Sequence, residues 1–212
     1  LIKRVSLNLA RSLGKNLQSS DSEIEVYSYA LEVLLCSTIK FMIIMGTAYL
    51  LGVADIAIFY LISFILLRRF GGGVHCSTYA KCLMTGLLST IFAVKLAESI
   101  FISSKIFLFL LLFLIGMGSI CIFKWVPAGT EKHKVIQPEK RRQRKIKTAF
   151  VFMGICVLSV FFYFFQYFSY AFSMILGGFF SFYLITPIGY KTVDIIENKF
   201  HITKEEGREN NA

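Results

Sequence analysis

The sequence predicts an all-α, polytopic membrane helical bundle of about six transmembrane helices with an N-terminal amphipathic interfacial helix. Three observations carry that prediction. The chain is 56% hydrophobic with a mean hydropathy of +0.65. Its charged fraction is 17%, below the ~25% of ordinary soluble domains, and the charges are gathered into a few blocks. Between the blocks lie apolar runs that approach the roughly 20 residues a helix needs to cross a ~30 Å hydrocarbon core. Each run is read as a helix, because a lone span in lipid must satisfy its own backbone hydrogen bonds.

The elements follow in order as a single integral-membrane domain covering 1–212. In residues 1–20, Ile2, Val5, Leu9, Leu13 and Leu17 recur at helical spacing opposite Lys3, Arg4, Arg11 and Lys15, the pattern of a helix lying in the membrane interface. No continuous apolar run occurs in that segment, so no signal peptide is expected. Spans are expected over 30–51, 54–67, 79–101, 104–123, 148–167 and 170–190. The second is short and crosses only with tilt or local thinning. Residues 124–147 form a basic loop, and 192–212 a polar tail.

Charge distribution sets the expected orientation. Lys and Arg crowd the N-terminal segment, the Arg68-Arg69 turn, the 124–147 loop and the stretch with Lys191 and Lys199. The alternate turns, near Gly52, Ile102 and Phe168, are nearly free of them. With six spans the two sets separate consistently, which places both termini and the cation-rich loops in the cytoplasm. The net charge of +10 is accordingly read as topology signal and anionic-lipid contact rather than nucleic-acid binding. The cysteines at 36, 76, 82, 121 and 156 form no CxxC pair and are odd in number, so neither a disulfide framework nor a metal site is expected. Two pairs of charged residues within expected spans stand out. Lys95 and Glu98 stand one turn apart and are expected to pair or snorkel. Lys40 lies two turns beyond Glu32 on roughly one face, a candidate polar lining.

The segment that carries chemistry is Arg68-Arg69-Phe70-Gly71-Gly72-Gly73-Val74-His75-Cys76-Ser77-Thr78-Tyr79-Ala80-Lys81-Cys82. Cysteine proteolysis needs a thiolate and an imidazole within hydrogen-bond reach. On one continuous helix His75 and Cys82 would stand about 10 Å apart along the axis, too far to touch. Gly71–Gly73 can adopt backbone angles closed to other residues, and Ser77 or Thr78 is a plausible N-cap. A helix beginning there puts Cys82 in its second turn, with His75 in a loop free to fold back over it. Arg68 is a candidate to bind a substrate carboxylate or to position the loop, and the glycine N–H groups are a candidate oxyanion site. Cys76 competes as nucleophile, although a sequence neighbour of His75 tends to point away from it. His133 is a weaker alternative base, and His201 lies in the tail. Cys36, Cys121 and Cys156 are read as packing residues.

This loop resembles the signature of the AgrB (accessory gene regulator B) family of membrane cysteine endopeptidases, in which an arginine, paired glycines, a histidine and a later cysteine occur in this order. A second resemblance lies in Pro127-Ala128-Gly129-Thr130-Glu131-Lys132 and the basic run Lys140-Arg141-Arg142-Gln143-Arg144-Lys145. A third, weaker one includes Asp21, Glu23, Glu25, Tyr27 and Glu32. The resemblance implies that His75 and Cys82 are catalytic and that Arg68 and Gly73 are required. It implies cleavage of a quorum-sensing pro-peptide before its acidic C-terminal segment through an acyl-thioenzyme, with thiolactone or lactone cyclisation in some members. It implies no cofactor or metal, and a homodimer. Lys140, Arg141, Arg142, Arg144 and Lys145 are candidate contacts for the acidic segment. Two readings of other classes compete: a small peptide transporter, which predicts paired repeats and broken helices, and a non-enzymatic membrane adaptor docking an anionic partner. An HExxH zinc protease finds no motif.

Overall fold

The computed structural model describes residues 2–74, 76, 78–100, 103–128 and 138–197. These residues form eight helices and no strand: α1 (Ile2–Leu17), α2 (Asp21–Leu50), α3 (Ala54–Gly71), α4 (Tyr79–Ser99), α5 (Ser104–Lys124), α6 (Pro138–Phe164) and α7 (Phe168–Tyr183), then α8 (Pro187–Glu197). By contacts the chain divides into two compact units, residues 1–47 and 48–212. The fold is an all-α polytopic membrane bundle. By length and apolar composition α2, α4, α5 and α6 can each cross a membrane, and the bent pair α7–α8 adds a fifth crossing if it counts as one span. The expected short second span is α3, whose eighteen residues include Asp55, Arg68 and Arg69.

In the first unit, α1 has the expected amphipathic form. Val5, Leu9, Leu13 and Leu17 make an exposed apolar stripe, and Ser6, Ala10 and Gly14 make the buried one. A side chain at Gly14 would come within 2.5 Å of Ile24 Cγ1, so its lack of one lets α1 fold back on the start of α2. The turn between them uses Gln18 at φ 52. Ser20 then caps α2: its N–H and its hydroxyl both donate to Glu23 Oε2 at 2.8 Å, the carboxylate half of a capping box. Glu32 and Lys40 are both half-buried along α2.

In the second unit α7 is the central helix. It packs most extensively on α3 and also meets α4, α5 and α6. The sequence explains why. A Cβ at Gly177 would lie 2.5 Å from the Tyr60 carbonyl oxygen, and one at Gly178 would meet Leu114 at 3.2 Å. Small residues at a helix crossing allow close backbone approach where lipid supplies no hydrophobic driving force. Gly118 on α5 plays the same part against Phe152 and Phe182.

The expected span 170–190 is not one straight helix. α7 ends at Tyr183 and α8 leaves at 80°. The cause is local. Thr186 Oγ1 accepts from Gly189 N at 3.2 Å, the geometry of an N-cap, and Pro187 occupies the first helical position, where its missing N–H costs nothing. Tyr183 and Thr192 hydroxyls meet at 2.6 Å and brace the corner. A Cβ at Gly189 would come within 2.2 Å of the Tyr183 carbonyl oxygen.

The helix directions segregate charge between the ends of this unit. The ends of α3 and α5 and the starts of α4, α6 and α8 carry Arg68, Arg69, Lys81, Lys124, Lys140, Arg141, Arg142, Arg144, Lys145, Lys147 and Lys191. At the opposite end, Lys95 pairs with Glu98 at 2.8 Å and donates to Leu51 O at 3.2 Å. There Tyr170 donates to Asp55 at 2.8 Å within a cluster of Phe59, Phe162 and Tyr167.

Candidate active site

The cation-rich end is organised around the turn after α3. Gly71 is the last helical residue. Gly72 (φ 79) and Gly73 (φ 127) then take left-handed angles that other residues rarely adopt. Space demands glycine at both. A Cβ at Gly72 would lie 1.9 Å from the Ala128 carbonyl oxygen, and one at Gly73 would lie 2.5 Å from Arg68 Nη1 and 3.0 Å from Leu184 O.

Two distant segments hold this turn. Ala128 N donates to Gly71 O at 2.8 Å, and Gly73 N donates to Ala128 O at 3.2 Å, forming a parallel bridge. Val74 N donates to Leu184 O at 3.2 Å, where α7 ends. The glycine turn and the Pro127-Ala128 stretch, separate motifs in the sequence, are thus one structure. Two of the glycine-turn N–H groups, Gly72 and Gly73, are occupied by Arg68 O and Ala128 O, which argues against their serving as the expected oxyanion site.

Arg68 reaches back under the turn and donates from Nη2 to Val74 O. Of the two roles expected for it, positioning the loop is the one this contact performs. Nη1 is buried and has no hydrogen-bond partner among the described residues. The guanidinium lies within electrostatic reach of Cys82, Tyr190 and Cys76. Arg69 beside it is exposed.

α4 begins with Thr78 as N-cap, its hydroxyl accepting from Lys81 N at 3.5 Å. Cys82 is therefore the fourth helical residue, with its own N–H bonded to Thr78 O at 3.1 Å. It is half-buried, near the N-terminal end of α4. Cys76 Sγ lies 3.8 Å from Thr85 Oγ1, one turn further along α4. Both candidate thiols thus stay near Arg68. Cys121 is buried, and Cys36 and Cys156 lie within helices away from this turn in sequence. The expected pairing of His75 with Cys82 lies outside the described residues, as do Ser77, the segment 129–137 with His133, and His201.

The basic run expected within a loop is helical, forming the first turns of α6. Its members differ in surroundings. Lys145 donates to Phe123 O at 2.7 Å and sits 5.4 Å from the Phe123 ring, so it caps the C-terminus of α5. Lys140, Arg141, Arg142 and Arg144 are exposed. Thr148, further along α6, faces the turn: its methyl carbon lies 3.7 Å from where a Gly71 Cβ would be.

Sequence reasoning missed Leu184 and Tyr190 as parts of this site and did not join Ala128 to the glycine turn. The Thr186-Pro187 pair is a readable helix-start signal that would have placed the α7–α8 corner. α8 also closes on α4, where Lys81 Nζ donates to Glu197 O at 3.4 Å.

The accessory gene regulator B family model (AgrB) matches residues 6–190. The chain is 25% identical over 213 residues to a putative AgrB-like protein 2 of Clostridium perfringens, covering 94% of this chain and 99% of that one. It is 26% identical over 151 residues to the accessory gene regulator protein B of Staphylococcus intermedius, covering 71% and 78%. A putative AgrB-like protein of Listeria innocua is 27% identical over 133 residues, covering 61% and 63%. No solved structure matches. The matched region takes in the Arg68 turn, Cys82, the Ala128 bridge and the α7–α8 corner, and the chain belongs to the accessory gene regulator B family, as a membrane protein with an accessory gene regulator role.

Proposed function

We infer that this chain is a membrane cysteine endopeptidase that removes the acidic C-terminal segment of an amphipathic quorum-sensing pro-peptide at the cytoplasmic face of the bacterial cell membrane. The observation that carries the reading is the position of Cys82. It is the fourth residue of a capped helix, within electrostatic reach of an arginine clasped under a glycine turn. Activation of the thiol is assigned to His75.

In this scheme His75 takes the Cys82 proton, and the thiolate attacks the scissile carbonyl. The C–N bond breaks as His75 returns the proton to the departing amine, leaving the N-terminal part as a thioester on Cys82. Water hydrolyses that thioester, or a thiol or hydroxyl within the peptide captures the acyl group, closing a thiolactone or lactone and restoring the Cys82 thiol. No metal or cofactor takes part. The buried Nη1 of Arg68, with no partner among the described residues, is the group suited to a substrate carbonyl or carboxylate, because a buried donor left unpaired costs about 1–3 kcal/mol.

Helical geometry divides the basic residues. Arg144 and Arg141 stand four and seven positions before Thr148 and continue its line toward the glycine turn. They are assigned to the acidic segment ahead of Lys140 and Arg142, while Lys145 holds α5. The proposed assembly is a homodimer in anionic lipid.

The test is cleavage of the pro-peptide encoded beside this gene by protein in liposomes, with mass spectrometry for an acyl adduct. Loss of cleavage in Cys82→Ala and His75→Ala, retention in Cys76→Ala and an adduct on Cys82 support the assignment. Cleavage at the wild-type rate by the first two variants overturns it.

A further inference from the structure

An open groove of about 410 Å³ that plays no part in the peptidase scheme lies between the cation-rich ends of α5 and α6. Ser119, Ile122 and Phe123 line it from α5, and Lys145, Ala149 and Phe152 from α6. Its walls are apolar. Phe152 is 7% exposed, whereas Phe123 is 79% exposed. Ala149, small and exposed, leaves the slot open between them.

The mouth is cationic. Lys145 is held there by its 2.7 Å bond to Phe123 O, and an ammonium has further N–H groups to offer. Arg142 stands three positions earlier on α6, one turn above Lys145. Lys124 follows Phe123. From 138 to 147 a single acid, Glu139, faces six bases. The groove lies where two apolar runs give way to charge, which is the depth at which acyl chains meet headgroups.

We propose that this groove is a binding site for one anionic phospholipid, with the phosphate on Lys145 and Arg142 and an acyl chain between Ile122, Phe123 and Phe152. An apolar slot beneath a pinned ammonium fits a molecule that is both anionic and long-chained. A free phosphate would leave the slot unfilled, and a zwitterionic lipid would leave the excess positive charge unmatched.

The site is tested on the full chain in non-ionic detergent by native mass spectrometry. Phosphatidylglycerol and phosphatidylcholine of identical acyl chains are compared, with glycerol phosphate as competitor. Phosphatidylglycerol is expected to remain bound under activation that strips phosphatidylcholine. Lys145→Gln, which removes the ammonium, and Ala149→Trp, which fills the slot from an exposed position, are each expected to weaken its retention at least about fivefold. Glycerol phosphate is expected not to displace it. Equal retention of the two lipids, displacement by glycerol phosphate, or wild-type binding by Ala149→Trp would overturn the proposal. None of these readouts depends on peptide cleavage, so the site and the peptidase reading stand or fall separately.

Discussion

Arg68 and Gly73 occupy one another's space: a single added carbon on Gly73 would come within 2.5 Å of Arg68 Nη1. The arginine fills the volume that the missing side chain leaves, and from there its other amine holds Val74 O. The two residues are one device, and it sets the course of the chain from α3 toward His75.

Gly73→Ala is therefore expected to leave the protein folded but to lower pro-peptide cleavage by about tenfold or more, since both the φ of 127° and the arginine's position must give. Gly72→Ala meets a backbone oxygen at 1.9 Å rather than a side chain, and is expected to reduce the folded yield itself. Size-exclusion profiles beside cleavage rates distinguish the two; a Gly73→Ala enzyme of full activity contradicts the clasp.

Arg68→Lys keeps the charge but loses the planar fork that lets one amine hold Val74 O while the other stays buried. Cleavage is expected to fall by about tenfold or more with little change in folded yield. Wild-type kinetics in this variant would show that charge alone is needed.

Gly177→Ala tests the core. The added methyl would sit 2.5 Å from the Tyr60 carbonyl oxygen at the α3–α7 crossing, and overpacking of this kind costs about 1–3 kcal/mol. Thermal unfolding in detergent should show a lowered midpoint, whereas Gly116→Ala, with nothing within 4 Å, should not.

Thr186→Ala removes the cap of α8, a loss of about 1 kcal/mol. Amide exchange within 187–197 is expected to quicken while that of α7 is unchanged. Uniform exchange in variant and wild type would mean that Pro187 and the Tyr183–Thr192 contact hold the corner unaided.

Charge reversal separates the basic residues. Arg144→Glu is expected to raise the KM for the pro-peptide several-fold, and a substrate with lysine in its acidic segment to recover part of the loss. Arg142→Glu, on another face of α6, is expected to change KM less. Equal effects would point to the general field of the helix rather than to a face.

Much of the fold was legible in the residues. Apolar runs and charge blocks announce a membrane bundle, the 3.6-residue period marks α1, and Thr78 marks the start of α4, because each of these signals acts between near neighbours along the chain; the Ser20–Glu23 cap starts α2 at Asp21, ahead of the expected span 30–51. Arg68, the glycines and Cys82 were legible as a unit for the same reason. The α7–α8 corner carries a local signal too, in Thr186 and Pro187, but the apolar run through Leu184 and Ile185 masks it.

What only the tertiary structure decided is which distant segments complete the site. The bonds from Ala128 to Gly71 and Gly73, the acceptance of Val74 N by Leu184, the packing of Thr148 toward Gly71 and the use of Lys145 to cap α5 join segments far apart in the chain. No periodicity or cap encodes them. They follow from the crossing of α3, α5 and α6 on α7, where the missing side chains at Gly118, Gly177 and Gly178 set how closely the helices approach, and so where their ends meet.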